Sequence, residues 1–465
     1  LILKGKKKMI KWYLFILSIA HCLIFAQDPE QLLIIANEKM AVGELSVADS
    51  LLDESLKIDP TFAPAIVAQS KIWLRKGDIK KAIFYGSKAV KLDEDTRSWT
   101  DELTKINNKM ISAMNTFKNR EVEKSISELE MITQDYPYFV QPYYNMAVIK
   151  YKTKDPDGMA YYAKKLLSFN PDHIKGKKLY SNAIKFFYKV GNESFSRGDL
   201  TKAEMNFKKA IEYDKNYIPA YYQLGVIEKK MGNSSKAKSF FNQILNIDSL
   251  HFKTLFTFGA LYESEGDLDS AMILYKESIA SNHKFIKPYS SLGNIFVGNG
   301  EFDLAKQILF EAIEIDPNYS VTYITLGYAL SEEAKELNQK LNSSDFKTKS
   351  KIKIIDDSNK LYVEASKYLK IATEIDSKNH DVWHRYATVL NSIKDFNKAS
   401  DAAQKCIDLK NNYGGGYYEK GVALFGMGKK QRALKFLEDA NKDRDFRAVA
   451  QRKIDEIKNP TKYEK

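Results

Sequence analysis

Residues 286–319 read IKPYSSLGNIFVGNGEFDLAKQILFEAIEIDPNY. Two apolar stripes run through this stretch. The first carries Tyr289, Leu292, Gly293 and Phe296, and the second carries Ala305, Leu309 and Ala312. Spacings of i, i+3, i+4 and i+7 place each set on one face of a helix. Gly300-Glu301 breaks the first helix and Asp316-Pro317 ends the second, because Gly accepts the backbone turn and Pro cannot continue a helix. A hairpin of two such short helices cannot bury both apolar faces alone. It requires neighbours of its own kind.

The chain supplies them. The small residue at Ala305 recurs at Ala48, Ala82, Ala203, Ala237, Ala271, Ala365, Ala399 and Ala433. The gaps are 34 from Ala48 to Ala82, from Ala203 through to Ala305, and from Ala365 through to Ala433. A Gly stands twelve residues before it at Gly191, Gly225, Gly259, Gly293 and Gly421, and another stands five before it at Gly43, Gly77, Gly198, Gly232, Gly266, Gly300 and Gly428. A fixed period of this length marks a repeat architecture. A Gly and an Ala on facing helices let the backbones approach, and large residues fill the gaps between repeats.

The pattern resembles the tetratricopeptide repeat family, whose aromatic, Leu-Gly, Tyr, Ala, aromatic, Ala, Pro order is seen in Tyr289, Leu292-Gly293, Phe296, Ala305, Leu309, Ala312 and Pro317. The resemblance covers nearly all of the chain after residue 28. It implies an all-α fold, an α-α superhelical solenoid of about eleven repeats. These fall at 29–62, 63–96, 106–139, 140–173, 184–217, 218–251, 252–285, 286–319, 320–379, 380–413 and 414–447. Grouped by character, they are repeats 1–2 (29–96), degenerate repeats 3–4 (106–173), repeats 5–8 (184–319), repeat 9 with an inserted helical hairpin (320–379) and repeats 10–11 (380–447). Ser125 and Met159 replace the Ala in repeats 3 and 4, and a capping helix is expected at 446–458.

Three interruptions break the period. About nine residues (97–105, with Trp99) precede repeat 3 and about ten (174–183) precede repeat 5; both read as lengthened first helices. Repeat 9 carries about 26 extra residues between Leu330 and Ala365. Apolar spacing through Ala334, Leu337 and Leu341, resuming at Ile352, Ile355 and Leu361, predicts a hairpin extended from the solenoid with a polar tip at Asn342-Ser343-Ser344-Asp345. Lys347, Lys349, Lys351 and Lys353 make its returning arm basic, which suits either a solvated face or contact with a partner or an anionic surface.

The amino terminus reads differently. Residues 1–26 contain no acid, and Lys4, Lys6, Lys7, Lys8 and Lys11 precede or open an apolar run from Trp12 to Phe25. That is the form of a secretory signal peptide, with cleavage expected after Ala26. The run is too short for a spanning helix, which needs about 20 residues. His21 before Cys22 departs from a lipobox and argues against lipid anchoring there. The chain is therefore expected to be exported, periplasmic or associated with the outer envelope of a bacterium-like cell. Five of the twelve net positive charges belong to those lysines, leaving +7, which is mild for this length and does not point to nucleic acid.

Catalytic and metal chemistry finds little purchase. The repeats consume the chain and leave no stretch for a separate catalytic domain, so the protein is expected to be non-enzymatic and to need neither cofactor nor metal. His380 and His384 lie i, i+4 on a predicted helix, but HDVWH lacks the Glu of the metalloprotease motif. Asp155-Pro156-Asp157-Gly158 reads as an inter-helix turn rather than a calcium loop, and Gly414-Gly415-Gly416 lacks the Gly-Lys-Ser/Thr of a phosphate loop. Cys406 takes a small buried position and reads as packing.

The resemblance also implies where a ligand would go: first helices lining a concave groove, at the second, fifth, sixth, ninth, twelfth and thirteenth positions of each repeat. Tyr144, Tyr188, Tyr222 and Phe256 form an aromatic ladder at the fifth position, beside Asn145, Lys185, Lys189, Asn192 and Gln223. Aromatics with adjacent amides and cations suit an extended peptide, while the same rings could simply pack between helices. The two-carboxylate clamp of some family members is rejected, since Met110 and Met114 replace its first Lys and Asn. The function expected is a protein–protein interaction scaffold or adaptor that binds a protein or peptide in the groove, with cell-envelope association. The alternative is a carbohydrate- or envelope-binding protein that stacks sugars on the tyrosines.

Overall fold

The computed structural model describes residues 28–341 and 348–460, apart from the side chains of residues 348 and 349. The segment read as a signal peptide, with Cys22, lies outside the described residues. So do the tip Asn342-Ser343-Ser344-Asp345 and the side chains of Lys347 and Lys349. The described residues are helical throughout, with short turns and no strand. They fall into two compact units, Leu1–Ile227 and Glu228–Lys465.

The first unit holds α1 (Pro29–Ala41), α2 (Leu45–Ile58), α3 (Ala63–Lys76), α4 (Ile79–Val90), α5 (Arg97–Lys118), α6 (Val122–Asp135), α7 (Val140–Lys152), α8 (Pro156–Phe169), α9 (Ile174–Ser196) and α10 (Leu200–Tyr213). Helix α11 (Ile218–Lys230) carries the division between the units. The second unit continues with α12 (Ser234–Ile247), α13 (Phe252–Glu265), α14 (Leu268–Ser281), α15 (Lys287–Gly298), α16 (Phe302–Ile315), α17 (Ser320–Lys340), α18 (Thr348–Ile375), α19 (His380–Ser392), α20 (Phe396–Leu409), α21 (Gly414–Gly426), α22 (Lys430–Ala440) and α23 (Arg447–Lys458). Within each unit, consecutive helices pair as hairpins and the hairpins stack in chain order.

Most hairpins turn by one device. Gly300 sits at φ 76°, its N–H bonds Val297 O at 3.0 Å, and Glu301 N bonds Phe296 O at 2.8 Å. This pair of bonds satisfies the last carbonyls of the helix and reverses the chain. Gly43, Gly77, Gly198, Gly232, Gly266 and Gly428 hold the same left-handed conformation. In three hairpins the slot is filled instead by Arg120 (φ 68°), Lys154 (φ 59°) and Lys394 (φ 62°). The turn is thus kept where the residue best suited to it is absent. Several second helices then start on an aspartate whose side chain accepts a backbone N–H, as Asp199 does from Lys202 at 3.0 Å and Asp267 from Ser270 at 3.1 Å.

Inside each hairpin the small residue is fully buried: Ala82, Ala203, Ala271, Ala305, Ala365, Ala399 and Ala433 have no exposed surface. The helical Gly, however, faces chiefly the large residue four positions after that Ala. A methyl on Gly293 would stand 2.9 Å from Leu309, on Gly259 2.8 Å from Tyr275, and on Gly191 2.6 Å from Phe207. Each Gly is the hole into which that side chain fits.

The interruptions are helical. Residues 97–105 and 174–183 are continuous with α5 and α9, which reach 22 and 23 residues. The extra residues of repeat 9 lengthen α17 and α18 to 21 and 28 residues. These two arms are joined where the buried Ser358 hydroxyl donates to Ala334 O at 3.1 Å. At the far end, α23 buries Ala450, Ile454 and Ile457, the latter two against Leu437 with Tyr418, Phe425 and Leu434 around them.

A non-glycine residue in the left-handed region costs roughly 1 kcal/mol. Lys394→Gly should therefore raise stability by about that amount, and Gly232→Lys should lower it similarly. Urea unfolding followed by circular dichroism checks both; equal midpoints for the two variants would show that the turn conformation is not what the glycines serve.

Candidate functional site

The aromatic ladder is half-buried. Tyr188 lies with its ring centroid 5.6 Å from Phe207 and 5.6 Å from Tyr217. In the second unit Phe256 does the same with Tyr275 at 5.6 Å and Phe285 at 5.4 Å. In both repeats the fifth-position ring closes on the second helix and on the aromatic residue that ends the repeat. Tyr144 follows the second half of the rule, 5.8 Å from His173, with Lys175 Nζ 5.9 Å from its ring centre. Asn145 Oδ1 accepts from Gln141 at 2.9 Å, and Lys189 stands 3.9 Å from Glu193. Lys185 is exposed, while Asn192, Tyr222 and Gln223 are half-buried.

Among the described residues of the first unit, a cleft lies on either side of a contact that the repeat period does not foresee. Repeat 2 touches the junction of repeats 3 and 4. The Arg75 guanidinium lies 4.2 Å over the Tyr138 ring, and a methyl on Gly77 would be 3.1 Å from Val140 Cγ2. The larger cleft, about 630 Å³, has Met110, Gln141, Tyr144 and His173 on one wall and the turns at Gly43 and Gly77 with Lys76 and Lys80 on the other. Tyr144 is the one ladder residue in its lining. His173 is held by Gly176 N–H donating to its Nδ1 at 2.9 Å, and burial lowers its pKa, so it presents a neutral ring.

The smaller cleft, about 420 Å³, lies between α1, α3, Trp99 and the turn at 135–139. Trp99 Nε1 donates to Ser70 Oγ at 3.0 Å, and that hydroxyl donates to Ala82 O at 2.7 Å, so the indole is fixed by a two-step chain. Tyr136 OH donates to the Glu102 carboxylate, which with burial pushes the phenol up to about 12. Asn37, Met40, Lys71 and Arg75 occupy ninth, twelfth or thirteenth positions of repeats 1 and 2. These are groove slots of the repeat, but the fifth positions of repeats 1 and 2 are Leu33 and Val67, so no aromatic marks the site in the sequence.

In the second unit the structure gathers the residues that had seemed isolated. His380 and His384 face the Tyr413 ring, with centroids at 4.9 and 5.3 Å, and His384 Nδ1 lies 3.1 Å from Tyr413 OH. Cys406 is fully buried and its thiol is pushed up to about 12, as packing requires. The three glycines serve close approach: Gly414 N–H donates to Asp443 Oδ2 at 2.7 Å, Gly415 abuts His384, Tyr413 and Phe446, and Gly416 abuts Cys406 and Ile407. Sequence reading missed Glu419. It is 5% exposed, accepts from Thr388 Oγ1 at 2.9 Å and Asn391 Nδ2 at 2.7 Å, and has His384 Nε2 4.0 Å away. Of the turn candidates, Asp155 caps α8 through Gly158 N–H at 2.8 Å, and Asp157 ties repeat 4 to repeat 5 by accepting from Lys209 at 2.6 Å and Tyr213 OH at 2.9 Å.

Helical hairpins stacked at a constant period define a repeat protein of the α-α solenoid class. Four of these hairpins match tetratricopeptide-repeat models: the family profile described as TPR repeat matches residues 191–232, and that described as Tetratricopeptide repeat matches 218–249, 286–319 and 380–413. Repeats of this kind generally mediate protein–protein interaction. No curated protein matches the sequence. Among solved structures the chain is similar to the APC/C hetero-tetramer Cut9-Hcn1 (12% identity, 95% of this chain and 98% of that one, TM-score 0.43). It is also similar to yeast Tom70 (15% identity, 95% and 91%, TM-score 0.37) and to a tetratricopeptide repeat protein of Parabacteroides merdae (14%, 59% and 99%, TM-score 0.41).

The Glu419–His384 pair makes a pH signature. Burial raises Glu419 to about 7, so folded chains keep its proton where unfolded ones release it, and its stabilisation fades as pH rises through 7. Burial lowers His384 to about 4, so its stabilisation is complete above the unfolded value near 6.5 and fades on acidification. Between about pH 4.5 and 6.5 the two slopes, about 1.4 kcal/mol per unit each, oppose one another. Glu419→Gln should unmask a loss of protection in α19–α23 as pH falls across this range, and His384→Asn a loss as pH rises. Hydrogen exchange of these helices, corrected for intrinsic rates, reads both; parallel slopes in the two variants would refute the opposition.

Proposed function

We propose that this protein is a non-enzymatic interaction scaffold that binds a protein or peptide partner on the groove side of its first helices, with its main seat in the first unit. The observation that carries this reading is the cleft of about 630 Å³ in which Tyr144 and Gln141 face the turns of repeats 1 and 2. A cleft of that size, part apolar and part lined by amides and lysines, suits a short stretch of extended chain. Tyr188 and Phe256 support such a partner indirectly, by fixing the hairpins. Their rings are engaged with Phe207 and Tyr217 and with Tyr275 and Phe285, which weighs against sugar stacking on the ladder.

Export belongs to the same proposal. The basic run followed by the apolar stretch Trp12–Phe25 supports it, with a mature chain starting at Gln27 in the periplasm or at the envelope. Fractionation with amino-terminal sequencing tests this point; an uncleaved chain in the cytoplasm would refute it.

The binding reading is tested by placing a photo-crosslinking amino acid at Gln141 and, as a control, at Phe84, an exposed residue on a second helix. Irradiation with the envelope fraction should give a discrete partner band from Gln141 and none from Phe84. Adding Tyr144→Ser should weaken capture on the order of tenfold while circular dichroism stays unchanged. Equal bands from both sites, or no band from Gln141, would overturn the proposal.

A further inference from the structure

The smaller cleft contains a cation without a counter-charge. Arg75 is half-buried, and burial depresses its pKa. One guanidinium nitrogen donates to Met40 O, and its plane lies over Tyr138. No carboxylate among the described residues pairs with it, whereas Arg97 and Arg385 have Glu94 and Asp381 at 2.5 and 2.8 Å. Of the acids near the cleft, Glu102 accepts from Tyr136, and Asp135, at the exposed rim, lies 3.6 Å from Lys109 rather than on Arg75. A half-buried charge left in this state is costly unless something of opposite sign completes it.

The walls describe the rest of the ligand. Trp99 is fixed by its bond to Ser70, and Lys71 Nζ stands 5.6 Å from the indole centre. Trp99 is half-buried and Tyr138 half-exposed, so the cleft offers apolar surface with a cationic end. Its volume of about 420 Å³ is that of a small-molecule site, too small for a helix and enough for one ring with a short chain.

We propose that the cleft between α1, α3, Trp99 and the 135–139 turn binds an apolar carboxylate of aromatic size, its anion on Arg75 and Lys71 and its body against Trp99 and Tyr138. A guanidinium gives a carboxylate two parallel, charge-assisted hydrogen bonds, which an amide of the same shape cannot accept. The carboxylate is either a free small molecule or the end of a peptide. In the second case the proposal rests on the scaffold reading and names the chemistry of the partner's terminus.

The test is isothermal titration of the full chain with N-acetylphenylalanine, its amide, and degenerate hexapeptide pools ending in Phe as free acid or amide. The acid should bind at least about tenfold more tightly than its amide, the difference expected for a hydrogen bond to a charged group. Arg75→Gln should erase that difference, and Tyr138→Ser, at the exposed rim, should weaken acid and amide alike. Tight binding of N-acetylphenylalanine identifies a free carboxylate as sufficient; binding of the peptide acid alone identifies a chain terminus. Equal binding of acid and amide by the unaltered chain, or no binding of either, would overturn the proposal even if Arg75→Gln failed to fold. Crosslinking from Gln141 with no acid preference here would remove this inference and leave the scaffold reading intact.

Discussion

Everything in this fold depends on a hole in one helix and the side chain that fills it. In these repeats a Gly of the first helix faces Phe207, Tyr275, Leu309 or Leu437 from the second, at distances where even a methyl would collide. The fit sets how closely the two helices lie, and the left-handed residue at the turn sets how they reverse. Neither feature is sufficient alone. Together they give a hairpin whose outer apolar faces remain unburied, which is why the repeats must stack and why α23 must cover the last one.

Function, on this account, is written where that rule relaxes. Repeats 3 and 4 put Arg120 and Lys154 in the left-handed slot and Ser125 and Met159 at the small position. Ser125 keeps the close approach by donating to Ala113 O at 2.7 Å. Here repeat 2 meets the end of repeat 3 through Arg75 on Tyr138 and the start of repeat 4 through Gly77 on Val140, leaving a cleft on each side. The consensus repeats of the second unit carry a different departure: an acid and an imidazole buried side by side, with no Lys or Arg among the described residues paired to the acid, beneath the turn that leads to the last helix.

The period, the turns and the lengthened helices were legible because each depends on contacts between residues close in sequence or one repeat apart. All seven glycines singled out at the turns have positive φ. Less was legible where side chains at repeat ends and turns meet across a junction. Nothing in a 34-residue pattern says that Arg75 will lie on Tyr138, or that His384, Tyr413 and Gly415 will meet Phe446. Fifth-position aromatics look like ligand contacts in the alignment of repeats, yet Tyr188 and Phe256 spend their rings on internal packing. Composition could not separate these uses, since the same ring serves both.

The central claim is that binding is concentrated in the irregular repeats and support in the regular ones. Hydrogen exchange of the full chain with and without its captured partner measures this most directly. The account predicts new protection in residues 71–80 and 135–145, with 286–319 unchanged. Protection confined to repeats 5–8, with the first two clefts unaltered, would contradict it.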